Sequence, residues 1–210
     1  MSDRSENARI EAFCDGVFAI AITLLILEIK IPSIESIHSI RGFWLTLLKD
    51  WPSWFGFFLS FYIILIAWVN HHGTFKFIDK SNPQFIYANG FLLLTVVILP
   101  FSTGLMAEYI KTDFAQPAIS FYCFGILLHN ISWIILGWTI MHPVPLTRDA
   151  HGQRQLTDAL IKNSRYAFFI YLFICILSFW FPTTAMVLMT TSWLVWLLTS
   201  ILLVPKNQKS

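Results

Sequence analysis

The strongest constraint on this chain is a series of six long apolar runs, each closed by a proline or a short polar turn. Lipid offers no hydrogen bonds to a bare backbone, so a run long enough to cross it folds as a helix. The first run, RIEAFCDGVFAIAITLLILEIKIP from Arg9 to Pro32, predicts a helix over residues 9–31. Its rise of roughly 34 Å exceeds a hydrocarbon core of about 30 Å, and Pro32 stops it. Residues 1–8 read as a frayed polar end, with Ser5 or Asn7 as the cap. Further spanning helices are expected at about 52–77, 84–108, 115–141, 160–180 and 184–204, with a kink near Leu99 from Pro100. Between the first two, residues 33–51 interleave isoleucine, phenylalanine and leucine with Glu35, His38, Arg41 and Lys49. That pattern suits a short amphipathic helix on the membrane surface. HPVPLTRDAHGQRQLTD (142–158) reads as the one long polar loop.

Composition agrees with an all-α membrane protein. The 210 residues are 56% hydrophobic and 12% charged, about half the charged share of a soluble domain. Residues 1–210 read as one transmembrane domain without an internal repeat, which argues against an inverted-repeat transporter. The first run is too long and too charged inside for a cleavable signal. Ten of the fourteen Lys and Arg residues fall at the N-terminus, the 2–3 turn, the 4–5 segment and the C-terminus; Lys30, Arg41, Lys49 and Lys111 fall opposite. Both termini are therefore expected in the cytoplasm. No basic run or basic helix points to nucleic acid. Cys14, Cys123 and Cys175 lie far apart in apolar stretches and read as buried small hydrophobes.

The polar residues inside the spans carry the functional question. Ile20, Thr23, Leu24 and Leu27 share one face of the first helix. Set around an axis by several subunits, that stripe gives apolar rings that close a pore by dewetting, and a hydroxyl ring for a partly dehydrated cation. The same stripe also serves ordinary packing, with Thr23 bonded back to the Ala19 carbonyl. Asp15 sits about two turns inside the helix and needs a partner. Arg9 and Asp15 share an end with Trp68, Asn70, His71 and His72 of the second spanning helix; Arg9 and Asp15, six apart, do not stack on each other. His71 and His72 point about 100° apart with no His or Glu at i+4, so no metal site is expected, and no cofactor. His129 and Asn130 read as an interhelical hydrogen-bonding pair near Trp133. Glu28 can snorkel, pair with Lys30, or attract cations to a pore mouth. No nucleophile elbow, zinc-protease motif or P-loop suggests an enzyme, and no Thr-Val-Gly-Tyr-Gly filter is present.

Arg9-x-x-x-Phe13-Cys14-Asp15, followed by AIAITLL (19–25), resembles the R-x-x-x-F-S-D signature of the endosomal and lysosomal potassium channel family (the transmembrane protein 175 family). Trp68-Val69-Asn70-His71-His72-x-x-Phe75 resembles that family's second characteristic segment. The six-helix, single-repeat length is similar to its prokaryotic form. The resemblance implies a homotetramer in a prokaryotic cell (inner) membrane, passing potassium and other monovalent cations, with the first helix lining a central pore. It implies Ile20 as the main hydrophobic constriction, Leu24 and Leu27 as further rings, and Thr23 facing the pore. It implies that Arg9, Phe13 and Asp15 pack with Trp68 and with His71 or His72 inside one subunit. The motif serine is Cys14 here, a weaker hydrogen-bonding group. The rival readings are a proton-coupled transporter or proton leak using Asp15 and a histidine of the second spanning helix, and a non-conducting membrane scaffold.

Overall fold

The computed structural model describes residues 2–142, 146–147 and 161–202. Among the described residues seven α-helices follow in order: α1 (Ser2–Leu24), α2 (Ile40–Lys49), α3 (Trp51–Phe75), α4 (Pro83–Tyr109), α5 (Ala115–Met141), α6 (Asn163–Leu177) and α7 (Pro182–Leu202). Short 3-10 turns at Leu25–Glu28 and Ile34–Ser36 lie between α1 and α2. Among the described residues four helical stretches are long and apolar enough to cross a membrane: Asn7–Glu28, Trp51–Phe75, Pro83–Tyr109 and Ala115–Met141. Of the two last helices, α6 and the described stretch Pro182–Leu198 are apolar but shorter. Most of the expected polar loop 142–158, and the expected end of the last helix near residue 204, lie outside the described residues.

Local chemistry sets many of the boundaries. Pro83 opens α4 where its missing N–H costs nothing, and Asn82 Oδ1 accepts from Phe85 N at 2.8 Å. Ser39 caps α2 by accepting from Gly42 N at 2.9 Å. The first helix differs at both ends from the expectation. It already includes residues 2–8, so Ser5 and Asn7 lie inside it rather than capping it. Its α-helical winding stops at Leu24, not Ile31, and tightens into the 3-10 turn, whose Leu25 is buried. α4 runs unbroken through Pro100; the Ser102 and Thr103 hydroxyls each donate to Leu99 O, at 2.9 and 2.8 Å.

The buried centre is α5, which packs against α4, α6 and α7, while α3 and α4 carry α1 on the far side. Small residues bring α3 and α4 close. A Cβ on Gly56 would stand 2.9 Å from Thr103 Cγ2, and Ser60 hydrogen-bonds to Thr103. In α5, Trp133 Nε1 donates to His129 Nε2 at 3.2 Å. Nδ1 of His129 then holds the proton and donates to Thr95 Oγ1 at 2.9 Å, so the buried imidazole is neutral and satisfied. Asn130 is buried with no partner for its Oδ1 among the described residues.

The connections sort to two ends. At one, Glu11 of α1 meets His72 of α3, and Asp79 N after α3 donates to Leu146 O after α5 at 2.9 Å. At the other, Lys30 pairs with Glu108 at 2.7 Å, and Lys111 donates to Lys49 O at 2.6 Å over the Trp51 ring. The Glu108 carboxylate raises the exposed Lys30 ammonium above its ordinary pKa through that hydrogen bond. No residue of α2 is buried, and Ile40, Phe43, Trp44, Leu45 and Leu48 are exposed along it.

Candidate ion pathway along the first helix

α1 has two faces of different character. Cys14, Phe18, Ala21 and Leu25, spaced four, three and four apart, are buried against α3 and α4. The opposite face is bare. Ile20 is 60% exposed, Leu24 49% and Leu27 72%, and Thr23 is exposed between them. Only 22% of the most apolar stretch of this span is buried within the chain, against 44%, 44% and 67% for the next three. Thr23 Oγ1 donates to Ile20 O at 3.0 Å, one residue later than the Ala19 carbonyl that simple spacing suggests. With its hydrogen committed to the backbone, the hydroxyl turns only acceptor lone pairs outward.

Toward its start, α1 is tied to its neighbours by side chains. Trp68 Nε1 of α3 donates to Asp15 Oδ1 at 2.9 Å. His72 Nδ1 lies 3.0 Å from Glu11 Oε1, and its ring stacks on Trp68. Deeper, a second chain of bonds joins three helices. Asn89 Nδ2 of α4 donates to Cys14 Sγ at 2.9 Å, while Asn89 Oδ1 accepts from His71 Nε2 at 2.9 Å. The His71 ring is fully buried between Phe18 and Phe75, and its Nδ1 has no partner among the described residues. The two adjacent histidines therefore serve different partners, His71 toward α4 and His72 toward α1. Arg9 is exposed and Phe13 is 66% exposed, so the bonds that gather Asp15, Trp68 and both histidines do not gather these two.

Two members of this cluster escaped the sequence reading. Glu11 lies one turn before Asp15 on the same face, a spacing visible in the sequence. Asn89 had no signal beyond being an amide inside an apolar run. At the other end, Glu28 does not pair with Lys30, whose partner is Glu108. Its carboxylate lies over Gly104, where any Cβ would collide with it. A cavity of about 340 Å³ opens there between the 3-10 turn, α3 and α4, lined by Glu28, Phe57, Pro100, Gly104 and Glu108 among others.

Comparison with known proteins points to one family of ion channels. A family model described as endosomal/lysosomal potassium channel TMEM175 matches residues 9–100. A potassium channel of Chamaesiphon minutus is 41% identical over 177 residues, covering 84% of this chain and 86% of the relative. The endosomal/lysosomal proton channel TMEM175 of Gallus gallus is 32% identical over 55% of this chain, but over only 23% of its own length. The crystal structure of a lysosomal potassium-selective channel TMEM175 homolog from Chamaesiphon minutus superposes with a TM-score of 0.81 at 38% identity, covering 93% of this chain and 98% of that one.

Proposed function

We propose a function from one premise, that this chain belongs to the family of the endosomal/lysosomal potassium channel TMEM175: it is a potassium-permeable cation channel of a prokaryotic cell membrane. The related proteins are ion channels rather than enzymes, and this chain is a multi-pass membrane protein of the same kind. In this reading six helices span the bilayer and both termini face the cytoplasm. Four copies surround an axis, and α1 of each lines the pore. Ile20, Leu24 and Leu27 form stacked apolar constrictions, and Thr23 adds a ring of hydroxyl oxygens between them. Asp15, Trp68, His71 and His72 hold the angle of α1 within the subunit.

The observation that carries this reading is the bare stripe. The least buried span exposes Ile20, Leu24 and Leu27 on the face turned away from its own chain, with an outward threonine oxygen among them. Lipid gives that oxygen nothing to bind, whereas a cation losing part of its water gains from it.

Reconstitution tests the proposal. Liposomes with a potassium gradient at fixed pH should dissipate it through the wild-type protein, and Thr23→Trp should abolish the flux. Wild-type vesicles that hold their gradient would contradict conduction and leave the scaffold reading. A second reading, proton permeation through the same protein, is favoured by the likeness to the endosomal/lysosomal proton channel TMEM175 of Gallus gallus. It predicts acidification that follows a proton gradient with potassium absent.

A further inference from the structure

We propose that Glu11, Asp15 and His72 form a site for a borderline divalent cation of the zinc type, which ties α1 to α3. Sequence spacing argued against a metal at His71 and His72 because neither has a ligand one turn along its own helix. The fold supplies the ligands from another helix. Glu11 and Asp15 stand four apart on one face of α1, and His72 reaches them from α3. One ligand atom from each lies within 4.8 Å of the others, and His72 Nδ1 is 3.0 Å from Glu11 Oε1. In tetrahedral zinc, bonds of about 2.1 Å separate ligand atoms by about 3.4 Å. Side-chain adjustments of an ångström or so therefore close the shell.

The donor set and its surroundings fit the ion. One imidazole and two carboxylates make a three-ligand set with a fourth position open to water. All three side chains are partly buried, yet among the described residues no lysine or arginine pairs with Glu11 or Asp15. Two carboxylates close to one imidazole at the edge of a span leave negative charge that a dication neutralises. The outer shell is in place as well. Trp68 Nε1–H fixes Asp15, and the Trp68 ring stacks on His72 at 5.9 Å and 21°. Asp15 lies about 140° around α1 from Ile20, so the site sits away from the bare stripe and would act as a tether rather than a conduction site.

Calorimetric titration of the detergent-purified protein with ZnCl2 tests this, with thermal unfolding alongside. The expected result is one saturable Zn²⁺ per chain, a Tm that rises with Zn²⁺, and little response to Mg²⁺. His72→Gln and Glu11→Gln should each weaken binding by at least roughly tenfold, since loss of a supporting contact alone costs that much. Equal Zn²⁺ affinity in the wild type and both variants, or no saturable binding, would overturn the site. Should neither variant fold, zinc-edge X-ray absorption on the wild type decides. A shell of nitrogen and oxygen near 2.1 Å with one imidazole supports it; a sulfur or multi-histidine shell sinks it.

Discussion

The two halves of α1 bury the same face but hold it differently, the first through polar bonds and the second through apolar packing opposite a bare stripe. In the first half, the polar groups of Glu11, Cys14 and Asp15 turn inward and find partners on α3 and α4. In the second half and the 3-10 turn that continues it, Ile20, Leu24 and Leu27 turn outward and stay about half or more exposed. A polar group inside a span is costly unless something bonds to it, so the partnered first half reports intrachain anchoring. The second half is a surface awaiting other copies or lipid, and its threonine oxygen is what separates those options. Changes in the first half should therefore act on stability, and changes in the second on conduction.

The largest expected effect falls on the anchored half. Asn89→Ala removes the amide that serves both Cys14 and His71, leaving two buried groups without a partner. It should cost about 1–3 kcal/mol, read as a lower unfolding midpoint in detergent. An unchanged midpoint would break the division at its anchored end. Ile20→Asn comes next. Its side chain is mostly exposed, so stability should stay within about 0.5 kcal/mol of wild type. Wetting the constriction should instead raise potassium flux by on the order of tenfold, a barrier change of about 1.4 kcal/mol. Loss of stability with no gain in flux would make the stripe a packing surface. The smallest effect belongs to Cys14→Ser, which restores the family's motif residue. Its oxygen accepts from Asn89 more strongly than sulfur, and the midpoint should rise by an amount equivalent to about 0.5 kcal/mol with flux unaltered.

The bounds of α3, α4 and α5 were legible to within about two residues because prolines and polar turns mark them, as at Asn82–Pro83, whereas the start of α2 at Ser39 was not. Nor was the end of α1. No proline, glycine or capping residue stands between Leu24 and Pro32 to mark a stop, and the tightening at Leu25–Glu28 accompanies contacts made with α3 and α4. The paired motifs around Asp15 and Trp68 were visible as a resemblance, but the division of labour between His71 and His72 was not. It depends on the rotational phase of α3, and one residue turns a side chain by about 100°. Asn89 was invisible for the same reason. Its role exists only once α4 presents it to both α1 and α3. The bare stripe was readable as a periodicity, whereas its exposure required knowing which face the rest of the chain covers.

The claim that the stripe lines a pore is tested most directly by Cd²⁺ block of reconstituted Thr23→Cys. The native cysteines Cys14, Cys123 and Cys175 are all buried and free, so no native thiol competes for Cd²⁺ at the stripe, and the wild type measures any effect of Cd²⁺ at Glu11, Asp15 and His72. A thiol ring on the axis should bind Cd²⁺ from the conduction path, suppress potassium flux, and release it to a chelator, while wild-type flux is unaffected. Flux through Thr23→Cys as indifferent to Cd²⁺ as the wild type would put Thr23 outside the pore.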